Sequence, residues 1–261
     1  MSIALQVALV MVTILVVLLV IGAPIGVAIG MSSAVSMICM IPADVSFATS
    51  AQRIFAGSNS FSLIAIPFFI LAGNIMNNGG IATRLVNCAK VISGRMPGAL
   101  AQSNVVANML FGAISGSGAA AAAAMGGTIG PLEEKEGYDK NYSTAVNVAS
   151  APVGMLIPPS NTMIVYSSVA GSVSIAALFM AGYIPGLLWG GAVMILAGIM
   201  AKKRGYQAEQ RVPVKVALKT FWQAIPSLLL IVIVIGGILG GIFTATEGSA
   251  IAVVYLSLIH I

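Results

Sequence analysis

The sequence predicts an all-α integral membrane protein, on the strength of its composition, its low charge and its long apolar runs. Of its 261 residues, 59% are hydrophobic and only 7% are charged. A soluble domain carries roughly 25% charged residues, so this chain has too few to cover a water-facing surface. Apolar runs of about 20 residues are long enough to cross a bilayer as helices. These features exclude a cytoplasmic enzyme, a nucleic-acid-binding protein and a disulfide-stapled secreted domain.

The charged residues that remain indicate how the chain crosses the membrane. We interpret the net charge of +5 as a topology signal, because Lys and Arg accumulate in the cytoplasmic loops of membrane proteins. Two basic segments, Arg84–Arg95 and Lys202–Lys219, are therefore expected to face the cytoplasm. Three crossings before Arg84 predict a periplasmic N-terminus. The apolar segments are Ile3–Ile21, Pro24–Ile41, Phe61–Met76, Ile175–Met200 and Phe221–Ile242.

The segment Pro97–Pro131 predicts a re-entrant hairpin. Its roughly 35 residues are too few for two full crossings at about 1.5 Å per residue. If it crossed once and Tyr142–Ala170 also crossed once, Lys202–Lys219 would lie outside, against the charge pattern. A hairpin that enters and leaves on the cytoplasmic side makes the number of membrane crossings agree with the charge pattern. It also places Glu133–Lys140 on the cytoplasmic side.

Two segments are interrupted near their middle by helix-breaking residues. Gly112–Gly118 joins two predicted half-helices, Leu100–Phe111 and Ala119–Ile129, and its glycines permit non-helical backbone angles. Alone, this break also fits a flexible turn between packed helices. A second helix is broken at Pro158 and Pro159, since proline lacks an N–H and clashes with the preceding turn.

Two such breaks close together in the chain point to a transport site. The C-terminal end of a half-helix leaves unpaired carbonyls, which suit a small cation, and the N-terminal end leaves unpaired N–H groups, which suit an anion. Secondary transporters build their binding sites in this way.

Cysteine and histidine argue against metal and catalytic sites. Cys39 and Cys88 lie far apart in apolar stretches, and we interpret both as small buried side chains. The single histidine, His260, lies at the end of the chain. Without a His or Cys cluster the sequence predicts no metal site and no cofactor. It also predicts no enzyme, because the apolar segments offer no convincing set of acid, base and nucleophile.

Four motifs in order resemble the large membrane subunit, the DctM-like permease, of tripartite ATP-independent periplasmic (TRAP) transporters. The resemblance extends from Met1 to about Tyr255. It has mild departures: an alanine run follows the hairpin tip, and Ala245 stands where the family commonly has proline. The motifs are Ile66-Pro67-Phe68-Phe69-Ile70-Leu71-Ala72-Gly73, Ser115-Gly116-Ser117, Gly154-Met155-Leu156-Ile157-Pro158-Pro159-Ser160 and Gly241-Ile242-Phe243-Thr244-Ala245-Thr246-Glu247.

This resemblance implies a sodium-coupled importer of carboxylate-bearing solutes such as dicarboxylates, keto acids and sugar acids. The implied partners are a small membrane subunit, separate or fused, a periplasmic substrate-binding protein and the lipid bilayer of the bacterial inner membrane, with no nucleic acid. Sodium is the implied coupling ion, and the implied mechanism is of the elevator type. The family has two inverted repeats, of which this chain is expected to contain the first and the start of the second.

The resemblance also implies the site residues. The hairpin tip and the unwound stretch before the prolines are expected to bind sodium, and the restart of the broken helix is expected to bind the substrate. The sodium ligands would be Ser115, Gly116, Ser117, Ser150, Ala151 and Gly154, and the substrate-binding residues Pro158, Pro159, Ser160 and Asn161.

Other polar residues in apolar segments receive structural interpretations. Asn74, Asn104 and Asn108 are expected to form interhelical hydrogen bonds. For Glu247 two roles stay open, a gating residue and a helix cap, since an acid is favourable at a helix start.

The predicted organisation has four parts. Residues 1–96 form scaffold spans and an amphipathic arm, and 97–174 form the hairpin and the broken helix of the transport core. Residues 175–255 hold further scaffold spans and the start of the second repeat. We interpret 256–261 as a non-native tail translated from a sequencing adapter, and a lone first repeat is not expected to transport.

Two other functions compete with this interpretation. A stand-alone sodium–carboxylate symporter of similar hairpin design would lack a binding protein and a small membrane subunit. A non-transporting structural membrane protein or channel component would show no dependence on a sodium gradient, but that hypothesis leaves both broken segments unexplained.

Overall fold

A computed structural model describes residues 3–171, 173–208 and 213–260; these ranges are mostly helical and contain no β-strand. The all-α prediction is therefore confirmed. The chain divides into two compact units, Met1–Ser60 and Phe61–Ile261.

The first unit contains three helices, α1 (Ile3–Val20), α2 (Ile25–Ile38) and α3 (Ala43–Ser58). Pro24 and Pro42 immediately precede α2 and α3, where a missing N–H costs nothing. α2 packs against both α1 and α3, and the Ser46 hydroxyl donates a hydrogen bond to the Ala34 carbonyl at 2.9 Å. Cys39 ends α2 and is exposed. The prediction that Cys39 is buried is wrong, because its side chain lies exposed at the C-terminal cap of α2.

The second unit begins with a 3₁₀ turn at Phe61–Ile64. Eleven α-helices follow in its described part: α4 (Ala65–Asn78), α5 (Ile81–Ser93), α6 (Ala99–Ser115), α7 (Gly118–Thr128), α8 (Gly130–Lys135), α9 (Lys140–Ser150), α10 (Val153–Leu156), α11 (Asn161–Ala170), α12 (Ile175–Arg204), α13 (Val214–Leu239) and α14 (Ala245–His260).

Helix lengths separate spanning helices from half-helices. α1, α12 and α13 are long and apolar enough to cross a membrane. α6 and α7 have 17 and 11 residues, and at about 1.5 Å per residue the pair fits a hairpin better than two crossings. α9 and α10 together form a bent pair with α11, at an angle of 48°, which fits the predicted broken helix.

α5 shows how the core is built from an amphipathic pattern. Its apolar residues recur every three or four positions, as a one-sided helix requires, and they pack against α6 and α13. Leu85 and Cys88 on this face are buried, and the predicted burial of Cys88 is confirmed. Arg84 lies on the opposite, exposed face.

The start of α14 shows Glu247 in one of the two roles considered for it. A Glu247 carboxylate oxygen accepts hydrogen bonds from the Thr244 N–H at 2.7 Å and the Thr244 hydroxyl at 2.9 Å. The Thr244 hydroxyl in turn accepts from the Glu247 N–H at 3.3 Å. This reciprocal pair is a capping box, so Glu247 caps a helix in this structure.

The segment between α8 and α9 is fastened to the end of α12. The Tyr206 hydroxyl accepts a hydrogen bond from the Asp139 N–H at 2.8 Å, and the rings of Tyr206 and Tyr138 stack with centroids 4.2 Å apart. The Tyr142 hydroxyl donates to the Ala197 carbonyl at 2.8 Å. These contacts hold the base of the hairpin and the start of the broken helix against one long helix.

Shortening a buried side chain of α5 tests this packing. We expect Leu85→Ala to lower the free energy of unfolding by about 2–5 kcal/mol, because Leu85 is fully buried and its loss leaves a cavity. Ile92→Ala on the same helix is the control, since Ile92 is 55% exposed and exposed substitutions change stability by less than about 0.5 kcal/mol. Thermal unfolding in detergent compares the two variants. Equal losses would contradict the buried position of Leu85.

Candidate functional site

The hairpin tip is a tight turn between α6 and α7. α6 continues to Ser115, four residues beyond the predicted end at Phe111, because Gly112 retains helical geometry and the helix ends only at Gly116. Gly116 has a φ of 62°, a left-handed conformation that suits glycine. The Ser117 hydroxyl then caps α7 by accepting a hydrogen bond from the Ala120 N–H at 3.3 Å.

The second break lies between α10 and α11. The backbone is extended at Ile157 and Ser160, and the Pro158–Pro159 peptide bond is cis. The Ser160 hydroxyl accepts a hydrogen bond from the Met163 N–H at 3.4 Å and donates one to the Met155 carbonyl at 2.5 Å. Ser160 therefore caps α11 and also ties α11 back to the last turn before the break.

The two breaks meet through backbone hydrogen bonds. The Asn161 N–H donates to the Gly116 carbonyl at 3.3 Å, and the Asn161 side-chain amide donates to the Ser115 carbonyl at 3.4 Å. A Cβ atom at Gly116 would lie 3.0 Å from the Asn161 nitrogen and 3.1 Å from the Pro159 oxygen. The predicted residues of the hairpin tip and of the helix restart thus form one cluster.

Behind this cluster, the backbones of α6 and α10 touch at two glycines. A methyl group added to Gly112 would overlap the Cα atom of Gly154, and a methyl group added to Gly154 would overlap the Cα atom of Gly112. Any larger residue at either position would therefore push the hairpin away from the broken helix.

The contacts along α6 occur in the same order as those along the broken helix. Asn108 contacts Ser150, Gly112 contacts Gly154, and Gly116 contacts Asn161. The two segments are therefore parallel and approach the breaks from the same end. This arrangement agrees with a hairpin and a broken helix that both enter from the cytoplasmic side.

The order of these contacts divides the predicted sodium ligands into two groups. Ser115, Gly116 and Ser117 lie at the tip, and the Ala151 carbonyl lies beside the start of α7, 3.1 Å from where a Cβ of Gly118 would be. Ser150 instead contacts Asn108, seven residues before Ser115, which is about 10 Å along a helix. The Ser150 side chain is therefore separated from the tip, and Gly154 takes part in the glycine contact.

Ser150 belongs to a buried network of asparagine side chains. The Asn108 amide nitrogen lies 2.8 Å from the Ser150 hydroxyl, 2.8 Å from Asn104 Oδ1 and 2.9 Å from Asn147 Oδ1. Asn147 also donates to the Ala122 carbonyl of α7 at 2.9 Å. The predicted interhelical role is confirmed for Asn108, whose amide joins α6 to α9.

The predicted substrate residues occupy the interior of the cluster. Pro158, Pro159 and Ser160 are buried, and the backbone N–H groups of Asn161 and Met163 already donate to protein acceptors. The side-chain oxygen Oδ1 of Asn161 is buried without a hydrogen-bond partner among the described residues. An incoming carboxylate would therefore have to replace the Gly116 carbonyl as acceptor for the Asn161 N–H, or the Ser160 hydroxyl as acceptor for the Met163 N–H.

A cleft of about 290 Å³ opens beside the tip, and sequence reasoning did not identify it. Asn74 and Asn77 of α4 face Ser115 and Ser117 across this cleft. Both asparagines are exposed, so the interhelical role predicted for Asn74 is not what the structure indicates. Asn74 and Asn77 are three residues apart on one helix and therefore lie on the same face. This spacing, after the motif that contains Pro67, is the sequence signal that could have identified the cleft.

The comparisons with known proteins decide the family. Residues 12–261 match the family described as "Tripartite ATP-independent periplasmic transporter, DctM component". The chain belongs to this DctM family. The predicted resemblance is thereby confirmed, and the family is one of membrane transport components and not of enzymes.

Three relatives illustrate the match to the DctM family. "Uncharacterized protein YgiK" of Salmonella typhimurium is 54% identical over 86% of this chain and 52% of its own length. The "C4-dicarboxylate TRAP transporter large permease protein DctM" of Vibrio cholerae is 42% identical over 82% of this chain and 47% of its own. The "Sialic acid TRAP transporter large permease protein SiaM" of the same organism is 40% identical over 79% and 48%. This DctM-family chain spans about half the length of these relatives.

Substituting the glycine contact tests the geometry of the site. We expect Gly112→Ala to lower the free energy of unfolding by about 1–3 kcal/mol, because the added methyl group overlaps the backbone at Gly154. Gly127→Ala in the same hairpin is the control, since open space surrounds Gly127 and alanine favours a helix. Thermal unfolding in lipid nanodiscs compares them. If Gly112→Ala is as stable as Gly127→Ala, the close contact between α6 and α10 is wrong.

Proposed function

We propose that this chain provides the first transport repeat of a sodium-coupled, binding-protein-dependent importer of carboxylate-bearing solutes. The observation that carries the proposal is the meeting of two broken helices, backbone to backbone, between Gly116 and Asn161. Irregular backbone at membrane depth survives only where it is buried in protein or lines a wet cavity. Both conditions hold here, since the tip residues are buried and a cleft opens beside them.

Sodium is proposed to bind at the hairpin tip. α6 ends at Ser115, and the carbonyls at the C-terminal end of a helix carry partial negative charge. The Ser115 and Ser117 side chains add hydroxyl oxygens, and the Ala151 carbonyl lies close by. Hydroxyl and carbonyl oxygens are the ligands that hard cations such as sodium accept. Ser150 and Gly154 would support this site from behind, through the asparagine network and the glycine contact.

A carboxylate is proposed to bind near the start of α11. The N-terminal end of a helix attracts anions, and the Asn74 and Asn77 amides across the tip cleft are suited to hydrogen-bond a carboxylate. The named relatives support the substrate class, because C4-dicarboxylates and sialic acid both carry carboxylates. Pro158, Pro159 and Ser160 would hold the break open in the shape that presents α11.

The membrane location, the partner proteins and the mechanism of movement are also proposals. The chain would work in the bacterial inner membrane with a periplasmic N-terminus, a small membrane subunit and a periplasmic binding protein. Among the relatives, the name of the "Isethionate TRAP transporter permease protein DctMQ" of Oleidesulfovibrio alaskensis fits a fused form of the two membrane subunits. Movement would be of the elevator type, with the hairpin and broken helix carried together because their backbones are joined.

Uptake by cells that express the whole source gene with its genomic neighbours tests the transport proposal. We expect accumulation of a radiolabelled dicarboxylate or sugar acid that requires both a sodium gradient and the binding protein. Collapse of the gradient or replacement of sodium by choline should abolish uptake. Uptake without a binding protein would favour the stand-alone symporter. Uptake that ignores sodium would contradict the proposal.

Removal of a tip hydroxyl tests the sodium site directly. We expect Ser117→Ala to weaken sodium binding to the purified protein about tenfold, equal to about 1.4 kcal/mol, because one ligand oxygen is lost. Ser174→Ala is the matched control: Ser174 caps α12 as Ser117 caps α7, through a hydrogen bond from the Ala177 N–H. Each variant should lose about 1 kcal/mol of stability. Calorimetric titration with sodium against potassium separates the two effects, and equal sodium affinities would place the ion elsewhere.

A further inference from the structure

A second cleft, of about 350 Å³, lies at the base of the hairpin, away from the tip. It is lined by residues of α6, α7, α8 and α9 and of the loop after α8. α8 has only six residues and belongs to the charged segment that the charge pattern places outside the bilayer. The cleft is therefore distinct from the proposed sodium and substrate sites.

A buried carboxylate, Glu133, lines this cleft. Its side chain is only 1% exposed, and neither carboxylate oxygen has a hydrogen-bond partner among the described residues. The Asn104 amide nitrogen and the Ser143 hydroxyl, which line the same cleft, are also buried and without partners. Unpartnered buried polar atoms are costly, so four of them around one cleft need a physical explanation.

The groups beside Glu133 are hydrogen-bond donors. Asn104 Oδ1 accepts from Asn108, which leaves the amide nitrogen of Asn104 as its group available to the cleft. Hard metal cations such as Ca²⁺ and Mg²⁺ take oxygen ligands, and an N–H donor beside the carboxylate disfavours them. Within the described part of the chain, no group of three His, Cys, Asp or Glu side chains could hold a metal ion. A proton, unlike a metal ion, binds to the carboxylate alone and needs no further ligand, and the Ser143 hydroxyl can accept a hydrogen bond from the protonated group.

Burial, and not a neighbouring charge, is the main influence on the pKa of Glu133. α6 and α7 contribute no charged side chain, and the ionisable groups that face the cleft from α8, the loop and α9 are Glu134, Tyr138, Lys140 and Tyr142. Burial raises the pKa of Glu133 to about 7, while the neighbouring Ser143 and Asn104 groups act in the opposite direction. Both the charged and the neutral carboxyl are therefore accessible near neutral pH.

We propose that Glu133 is a reversible proton-binding site, which takes up a proton from the cleft beside Asn104 and Ser143. The proposal goes beyond transport of sodium and carboxylates and does not depend on it. Asn104 is hydrogen-bonded to Asn108, which joins the hairpin to the broken helix. Asn104 thus lies between Glu133 and the hydrogen bonds that join the hairpin to the broken helix, so protonation of Glu133 occurs next to this network.

Direct titration of the carboxyl group tests the proposal. Infrared difference spectra of the purified chain in lipid nanodiscs should show a buried carboxylic acid that titrates near pH 7 and is missing in Glu133→Gln. Glu134→Gln, which removes the exposed acid of the same cleft, should keep that signal. Ser143→Ala should move the midpoint to higher pH, because a donor to the charged carboxylate is lost. A Glu133 signal that titrates in the ordinary range, near 4.5, would overturn the proposal.

The pH dependence of stability is an independent readout. Between about pH 5 and 7 the folded chain would hold a proton on Glu133 that the unfolded chain has released, so stability falls as pH rises and levels off above that range. We expect the apparent melting temperature to fall over this window in the unsubstituted chain and in Glu134→Gln. In Glu133→Gln that decline should be lost. An unchanged decline in Glu133→Gln would also refute the proposal.

Discussion

The direct contact of two backbones at Gly112 and Gly154 is the constraint on which the site depends. Because neither residue has a side chain, the hairpin and the broken helix approach more closely than any other pair of residues would allow. That approach brings the carbonyls of the hairpin tip within hydrogen-bond distance of Asn161. A separation larger by one methyl group would lengthen these hydrogen bonds beyond the distance at which they form.

The polar groups on the two sides of the glycine contact form different kinds of hydrogen bond. Towards the tip, hydrogen bonds run between backbone groups, and the side chains of Ser117 and Ser160 serve as helix caps. Towards the base, side chains bond to side chains, and Asn108 links α6 to α9 through Asn147 and Ser150. At the tip, the one backbone hydrogen bond between the breaks, from the Asn161 N–H to the Gly116 carbonyl, can exchange with an ion or a carboxylate. The network at the base offers no such exchange, so it suits a structural joint.

Much of this arrangement was predictable from the sequence, and the failures share one cause. Pro158 and Pro159 break a helix wherever they occur, and the charge pattern alone required a hairpin at 97–131. Sequence spacing could not show that Ser150 turns towards Asn108 and away from Ser115, because that depends on the rotational position of α9. Asn77 and Glu133 were missed for the same reason, since their importance comes from neighbours distant in sequence. The sequence predicted Gly112 to be part of the break, whereas in the structure it lies within α6 and packs against Gly154.

The parallel order of contacts also bears on how such a unit could move. The three contact levels join α6 to the broken helix along its length, and Asn147 extends the connection to α7. Shearing these elements past each other would break the hydrogen bonds at the first and third levels and disrupt the glycine contact between them, whereas moving them together preserves all three. The loop after α8 is held to the end of α12 through Asp139, Tyr138 and Tyr206, and the Tyr138 side chain is buried. α12 is also packed closely on these elements: Gly182 and Gly186 lie against Leu156 and Ile157, and the Tyr142 hydroxyl donates to the Ala197 carbonyl. Displacement of the hairpin and broken helix as one body would therefore have to break these buried contacts or carry α12 along.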